Sequence, residues 1–156
     1  MMHRPAQLFA AVSLISGLAC SAAPESPEAQ IRSLISELEV AAEARELRDL
    51  KEAVSERYAD DRGNDRRAVV QLLTYHFLRN QSIHLLSRIA ELEVPEAGRA
   101  FVTVYVAMAG RPIPDATALV ELHANFYRFD FALEWETERW LVTRADWRPA
   151  RSDDFL

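Results

Sequence analysis

Cysteine is nearly absent from this sequence: Cys20 stands alone, so no disulfide can form within the chain. Lysine is as scarce, with Lys51 the single example, and almost all positive charge sits on arginine. Basic residues are also outnumbered, 18 Lys and Arg against 24 Asp and Glu, for a formal charge of -6. Phosphate backbones and anionic lipid surfaces both demand clustered cations. This balance therefore argues against nucleic acid as a partner. The common catalytic signatures are missing too: no G-x-S-x-G, no phosphate-binding loop, no H-E-x-x-H and no dinucleotide fingerprint. No apolar run reaches the roughly 20 residues that a spanning helix needs. What is present is ordinary for a globular chain, 156 residues with 49% apolar and 27% charged, about one domain in length.

The first 20 residues read MMHRPAQLFAAVSLISGLAC. A short positive segment with His3 and Arg4 precedes an apolar stretch over 8–18, the pattern of a signal peptide. Ser16, Gly17, Leu18 and Ala19 then lead into Cys20. This resembles the lipobox of bacterial lipoproteins, although Gly17 stands where leucine is commonest. The resemblance implies cleavage after residue 19, a diacylglyceryl thioether on Cys20 and an acylated amine. Several acyl chains anchor stably, because each buried CH₂ contributes about 0.8 kcal/mol. An acylated cysteine would leave no thiol for a nucleophile or a zinc site. Ser21, rather than Asp, is similar to the sorting signal of outer-membrane lipoproteins, with the domain facing the periplasm. The residues also allow an ordinary secretory signal cleaved near Ala23, or a chance cysteine in a disordered N-terminus. Residues 20–28 carry small, polar and proline residues and are expected to be a flexible tether.

From 29 to 58 there is no glycine or proline. Ile31, Leu34, Ile35, Leu38 and Ala42 mark one helix face, and Leu47, Leu50, Val54 and Tyr58 a second one. The stripes are out of phase, so the spacing predicts two helices with a break at 44–46. The run 60–65 (DDRGND) predicts a turn in which Asn64 or Asp65 caps a third helix. That helix runs to Arg79 with Val69, Leu72, Leu73, His76 and Phe77 as its stripe. Strands are expected over 82–94, 99–109, a long stretch ending at Glu136, and 139–147, with turns at 95–98 and 137–138. Alternation in the first of these is imperfect. In the third, Val120, Leu122, Ala124 and Phe126 have the opposite parity to Tyr127, Phe129, Phe131, Leu133 and Trp135, which predicts a bulge at 126–128. The last strand switches face between Val142 and Ala145.

Helices segregated before a strand meander point to an α+β layer. The opening helix IRSLISELEVAAEARELRDL, the exit ERYADD, the helix DRRAVVQLLTYHFLRN and the closing hairpin ALEWETERWLVTRADWRP resemble a nuclear transport factor 2-like (SnoaL-like) domain. The resemblance covers about 29–150, with 151–156 left as a C-terminal tail. It implies a cystatin-like cone, three N-terminal helices packed on a bent four-stranded antiparallel sheet. Members include isomerases, cyclases, dehydratases and plain binding modules, so the fold does not decide the function.

Isomerase chemistry in such a cone needs a carboxylate base and acidic hydrogen-bond donors in an apolar pocket. The resemblance places one donor, a tyrosine, on the first helix. Here that face offers Ile31, Leu34, Ile35 and Leu38, which cannot donate. The remaining catalytic candidates are His76, Tyr127 and Asp146. Each has a plainer reading: His76 as a core-edge residue bonded to a carbonyl, Tyr127 as a core aromatic, Asp146 as a solvated carboxylate. Tyr75, His76, Asn125, Tyr127, Phe129, Trp135 and Trp140 are candidates to line a pocket; tryptophans in such positions more often fill a cone or cover its mouth. His76, His84 and His123 lack metal-ligand spacing, and no cofactor is expected. The sequence reading is a lipid-anchored envelope module that binds a small apolar ligand, or pairs through its sheet as a homodimer, with an isomerase- or cyclase-like enzyme as the alternative.

Overall fold

The computed structural model describes residues 25–155; Cys20 and the segment read as a signal peptide lie outside them. Helix α1 spans Pro27–Ala44. It takes in the last two residues of the expected tether, because the Ser26 side chain accepts from Ala29 N and Pro27 sits in the first turn, where a missing N–H costs nothing. Arg45 ends it in the left-handed region (φ 61°), and its N–H and that of Glu46 close on the carbonyls of Ala42 and Ala41. Helix α2 (Leu47–Glu52) follows, so the phase break between the two stripes is a true helix break. Asp65 accepts from Ala68 N and caps α3 (Arg66–Arg79) as expected. No helix among the described residues is long and apolar enough to cross a membrane.

Four strands, β1 (His84–Glu96), β2 (Arg99–Ala109), β3 (Asn125–Glu136) and β4 (Arg139–Pro149), form one antiparallel sheet in the order β1-β2-β3-β4. Gly98 (φ 80°) makes the first hairpin turn; Thr137 (φ 47°) and Glu138 (φ 65°) make the last one in the left-handed region. Three irregularities shift the register, one of them between Glu93 and Glu96 beside the first hairpin turn. Ala90 has no partner between the pairs Ile89–Val104 and Glu91–Thr103, which explains the imperfect alternation of β1. Thr143 is the extra residue between the pairs Leu133–Val142 and Ala132–Arg144, which is the face switch read from β4.

The bulge expected at 126–128 is absent. Residues 116–119 form a 3₁₀ turn instead, capped by Asp115 through Thr117 N and Ala118 N. His123 then takes φ 51°, and β3 starts at Asn125. Val120, Leu122 and Ala124 never enter the sheet, so their parity carries no information about it. The expected tail is also folded: Ser152–Phe155 form a short helix, α4, and Phe155 is buried against Ala107 and Leu119. Arg88 donates through Nε to the Phe155 carbonyl at 2.8 Å, tying this end to β1.

The main core lies between the helices and one sheet face. Ile31 and Ile35 of α1 and Val69 of α3 meet Val102, Val104, Leu133 and Val142. A second cluster joins Ala41, Leu50, Phe77 and Ile83. The third, around Phe155, sits on the opposite side of the sheet, because paired Ala107 and Phe126 point away from Val104 and Phe129.

Candidate functional site

Directly paired residues share a face in an antiparallel sheet. Val106–Tyr127, Val104–Phe129, Val102–Phe131 and Phe129–Trp147 are such pairs, so all these rings lie on the helix-facing side. Phe131 joins the main core at its edge. Tyr127, Phe129 and Trp147 continue the row beyond that core and stay half-buried. Phe129 is the hub: its ring stacks on Phe131 at 5.7 Å and 7°, on Trp147 at 6.5 Å and 26°, and lies 6.4 Å from Tyr127. Arg62 places its guanidinium 4.0 Å from the centre of the Trp147 ring and donates to the Trp147 carbonyl.

The loop that aims Arg62 is organised by Asp60. Its carboxylate accepts from Arg62 N (3.0 Å), Asn64 N (2.9 Å), Asn64 Nδ2 (2.8 Å) and Tyr58 Oη (3.2 Å). Burial alone would raise the Asp60 pKa, but these donors outweigh it and hold the carboxyl below the usual Asp range. Burial and the neighbouring Asp60 charge push the Tyr58 phenol well above its ordinary value, so Tyr58 stays a neutral donor.

The proposed catalytic trio does not converge. His76 is exposed on α3 and packs edge-on against Tyr75. The buried stripe of that helix runs Val69, Leu73 and Phe77, and His76 lies about 100° around the axis from Phe77. Asp146 pairs with Asp130 in the register and faces outward. There it meets Arg144 Nε at 3.1 Å and accepts from Asp61 N. Tyr127 is on the other side of the sheet. Of the remaining lining candidates, Tyr75 is 52% exposed and holds Arg79, and Asn125 is exposed at the start of β3. No group of three potential metal ligands occurs among the described residues.

Trp135 and Trp140 line a different feature. An open groove of about 930 Å³ runs along α1 and is closed by α2 and the β3–β4 hairpin. Trp140 is buried beneath it, with Nε1 donating to Gln30 Oε1 at 3.1 Å, and Trp135 stands edge-on to it at 5.6 Å. A smaller hollow of about 250 Å³ lies around Phe101 and Arg144.

Beside the Phe155 cluster, the outer sheet face carries an ionic lattice. Asp130 accepts from Thr103 Oγ1 (2.8 Å), Arg128 Nε (2.9 Å) and Arg148 Nη1 (3.2 Å). Burial works against the charged form of Asp130, yet Arg128 and Thr103 keep its carboxyl below the ordinary value. The one signal for this lattice in the sequence was the polar alternation of Arg128, Asp130 and Glu134 along β3. Nothing local pointed to Arg62, which reaches Trp147 across 85 residues.

By sequence, the chain matches no family model and no curated protein. By structure it is similar to a nuclear transport factor 2-like protein of unknown function from Shewanella oneidensis, at 16% identity and a TM-score of 0.58, covering 78% of this chain and 98% of that one. It is also similar to a protein from Novosphingobium aromaticivorans provisionally described as a scytalone dehydratase, at 11% identity and a TM-score of 0.63, covering 78% and 83%. A Bdellovibrio bacteriovorus protein matches at 10% identity and a TM-score of 0.60 over 78% of this chain, which spans 40% of that longer one. Other matches are described as cystatin-like. The fold is therefore the cystatin-like, nuclear transport factor 2-like α+β cone.

Proposed function

We propose that this chain is a membrane-anchored, non-catalytic module whose cone takes a small apolar, planar ligand on the row Tyr127, Phe129 and Trp147. One observation carries the reading. The candidate acid–base groups lie on three separate surfaces, whereas the aromatic rings share one, with the Arg62 cation at its edge. General acid–base catalysis needs groups within hydrogen-bond reach of one reacting atom. His76, Tyr127 and Asp146 cannot supply that, so a dehydratase- or isomerase-like activity through them is disfavoured. Stacked rings give an apolar wall that accepts flat molecules, and the guanidinium favours those carrying a negative charge.

Anilinonaphthalene sulfonate, an anion with a flat naphthalene ring, is a suitable probe. Its binding should quench Trp147 fluorescence, and Phe129→Ala should weaken it about fivefold to tenfold while far-ultraviolet circular dichroism stays unchanged. Equal affinity in Phe129→Ala would remove the row as a site. A turnover that disappears in His76→Ala would reinstate the enzyme.

Anchoring rests on Cys20. Mass spectrometry of the mature N-terminus should find Cys20 first in the chain and carrying acyl groups, and Cys20→Ser should move the protein out of the membrane fraction. An unmodified Cys20 in the mature protein would rule out the anchor.

A further inference from the structure

We propose that the groove along α1 is a docking site for a basic amphipathic segment of a partner protein. This does not rest on the aromatic row, which lies on another part of the molecule. The floor of the groove is apolar: Leu34, Leu38 and Ala41 from α1, and Trp135, Trp140 and Leu141 from the hairpin. Two large side chains beside it are open to solvent, Trp135 at 44% and Val40 at 61% exposure. Trp135 stays open here although the same chain buries Trp140 directly below.

The rim has one sign. Glu25, Glu37, Glu46, Asp49, Glu52 and Glu138 border the groove against the single cation Arg139. Arg48 pairs with Asp49 and Glu52 from outside. Glu25, Glu37, Glu46 and Glu138 have no ion-pair partner among the described residues. A cleft with one sign of charge and low-dielectric walls concentrates the opposite charge. The occupant that suits both floor and rim carries apolar anchors flanked by Lys or Arg.

Shape selects a peptide over a small molecule. The α1 wall from Gln30 to Ala41 is roughly 16 Å long at 1.5 Å per residue. Three turns of helix or five residues of strand match that length. Small-ligand pockets bury most of their ligand, whereas this groove opens to solvent. An amphipathic helix laid in such a groove is a recurrent recognition mode.

The test uses the full chain in phosphatidylcholine nanodiscs and a fluorescein-labelled 12-residue peptide of Leu and Lys with its apolar residues on one helical face. The Lys peptide should bind, and an otherwise identical Glu peptide should not. Glu37→Lys with Glu138→Lys should weaken binding at least tenfold, as should Trp135→Ala; rising salt should weaken the wild-type complex. Phe129→Ala should leave peptide affinity unchanged, which separates this site from the aromatic row. The proposal is overturned if the Glu peptide binds equally or if the charge-reversed protein, folded by circular dichroism, keeps its affinity. Complete displacement by spermine at matched charge would assign the groove to a small polycation instead. A concentration-dependent dimer that Trp135→Ala abolishes would assign it to a second copy of this chain.

Discussion

Trp140→Ala should destabilise the fold by about 3–5 kcal/mol, the usual cost of truncating a buried large aromatic. Trp140 is 6% exposed and belongs to the main core with Ile31, Val102 and Leu133. Its removal deletes the edge contact to Trp135 and leaves Gln30 Oε1 without its donor. Domains of this size have about 5–15 kcal/mol in total, so the loss is a large fraction of the stability. The urea midpoint should fall sharply and the melting temperature by on the order of 10–20 °C. Trp140→Phe, which keeps most of the ring volume, should cost clearly less than the alanine variant. A loss below about 1 kcal/mol for the alanine variant would mean that the hairpin end does not close the core.

Asp60→Ala should cost about 2–4 kcal/mol, more than an ordinary loop substitution. The residue is 8% exposed, and its carboxylate satisfies two backbone N–H groups, the Asn64 amide and the Tyr58 hydroxyl together. Removing the acceptor leaves several donors unpaired near the core, each worth about 1–3 kcal/mol when fully buried. Tyr58 keeps one partner, the Ala145 carbonyl, which moderates the loss. Arg62 should also lose its place over Trp147, so fluorescence of that ring should change in the folded variant.

The same residue sets the response to acid. Asp60 and Asp130 both have depressed folded-state pKa values, against about 3.9 in an unfolded chain. Their stabilisation is complete above the unfolded value and is lost as pH falls through the folded values. Stability should therefore be flat near neutrality and drop below about pH 4, with each group adding up to about 1.4 kcal/mol per pH unit. Urea titrations at several pH values should show a shallower acid slope in Asp60→Ala than in the wild type. Identical slopes would exclude Asp60 as a contributor.

Local chemistry was readable wherever neighbours in the chain decide the outcome. The break at Arg45 follows from two apolar stripes that cannot share one helix axis. The cap at Asp65, both hairpin turns and the bulge at Thr143 also belong to their own segments. At 120–124 the alternation is misleading. Parity assumes an extended chain, and Asp115 and His123 turned that stretch out of the sheet first. Phe155 reads as part of a tail in the sequence because its pocket, Ala107 and Leu119, lies far away along the chain.

The site residues show the same division. That Phe129 and Tyr127 share a face was evident from their spacing, and so was the opposite parity of Asp130. Which face meets the helices, and that Asp146 lies across the sheet from Tyr127, was decided by strand register and the bulge before it. His76 stood on an apolar stripe in sequence, but the stripe that packs is one position narrower. The groove is assembled from α1, α2 and a hairpin about one hundred residues away, and Arg62 reaches Trp147 from a separate loop. The sequence by itself determined the scarcity of cysteine and cations, the helix-then-strand order and the caps and turns, because these depend on composition and neighbouring residues. Tertiary structure alone decided which aromatic rings face one another and which carboxylates gather on one rim, because those depend on strand register and helix docking, to which no short window of the chain has access.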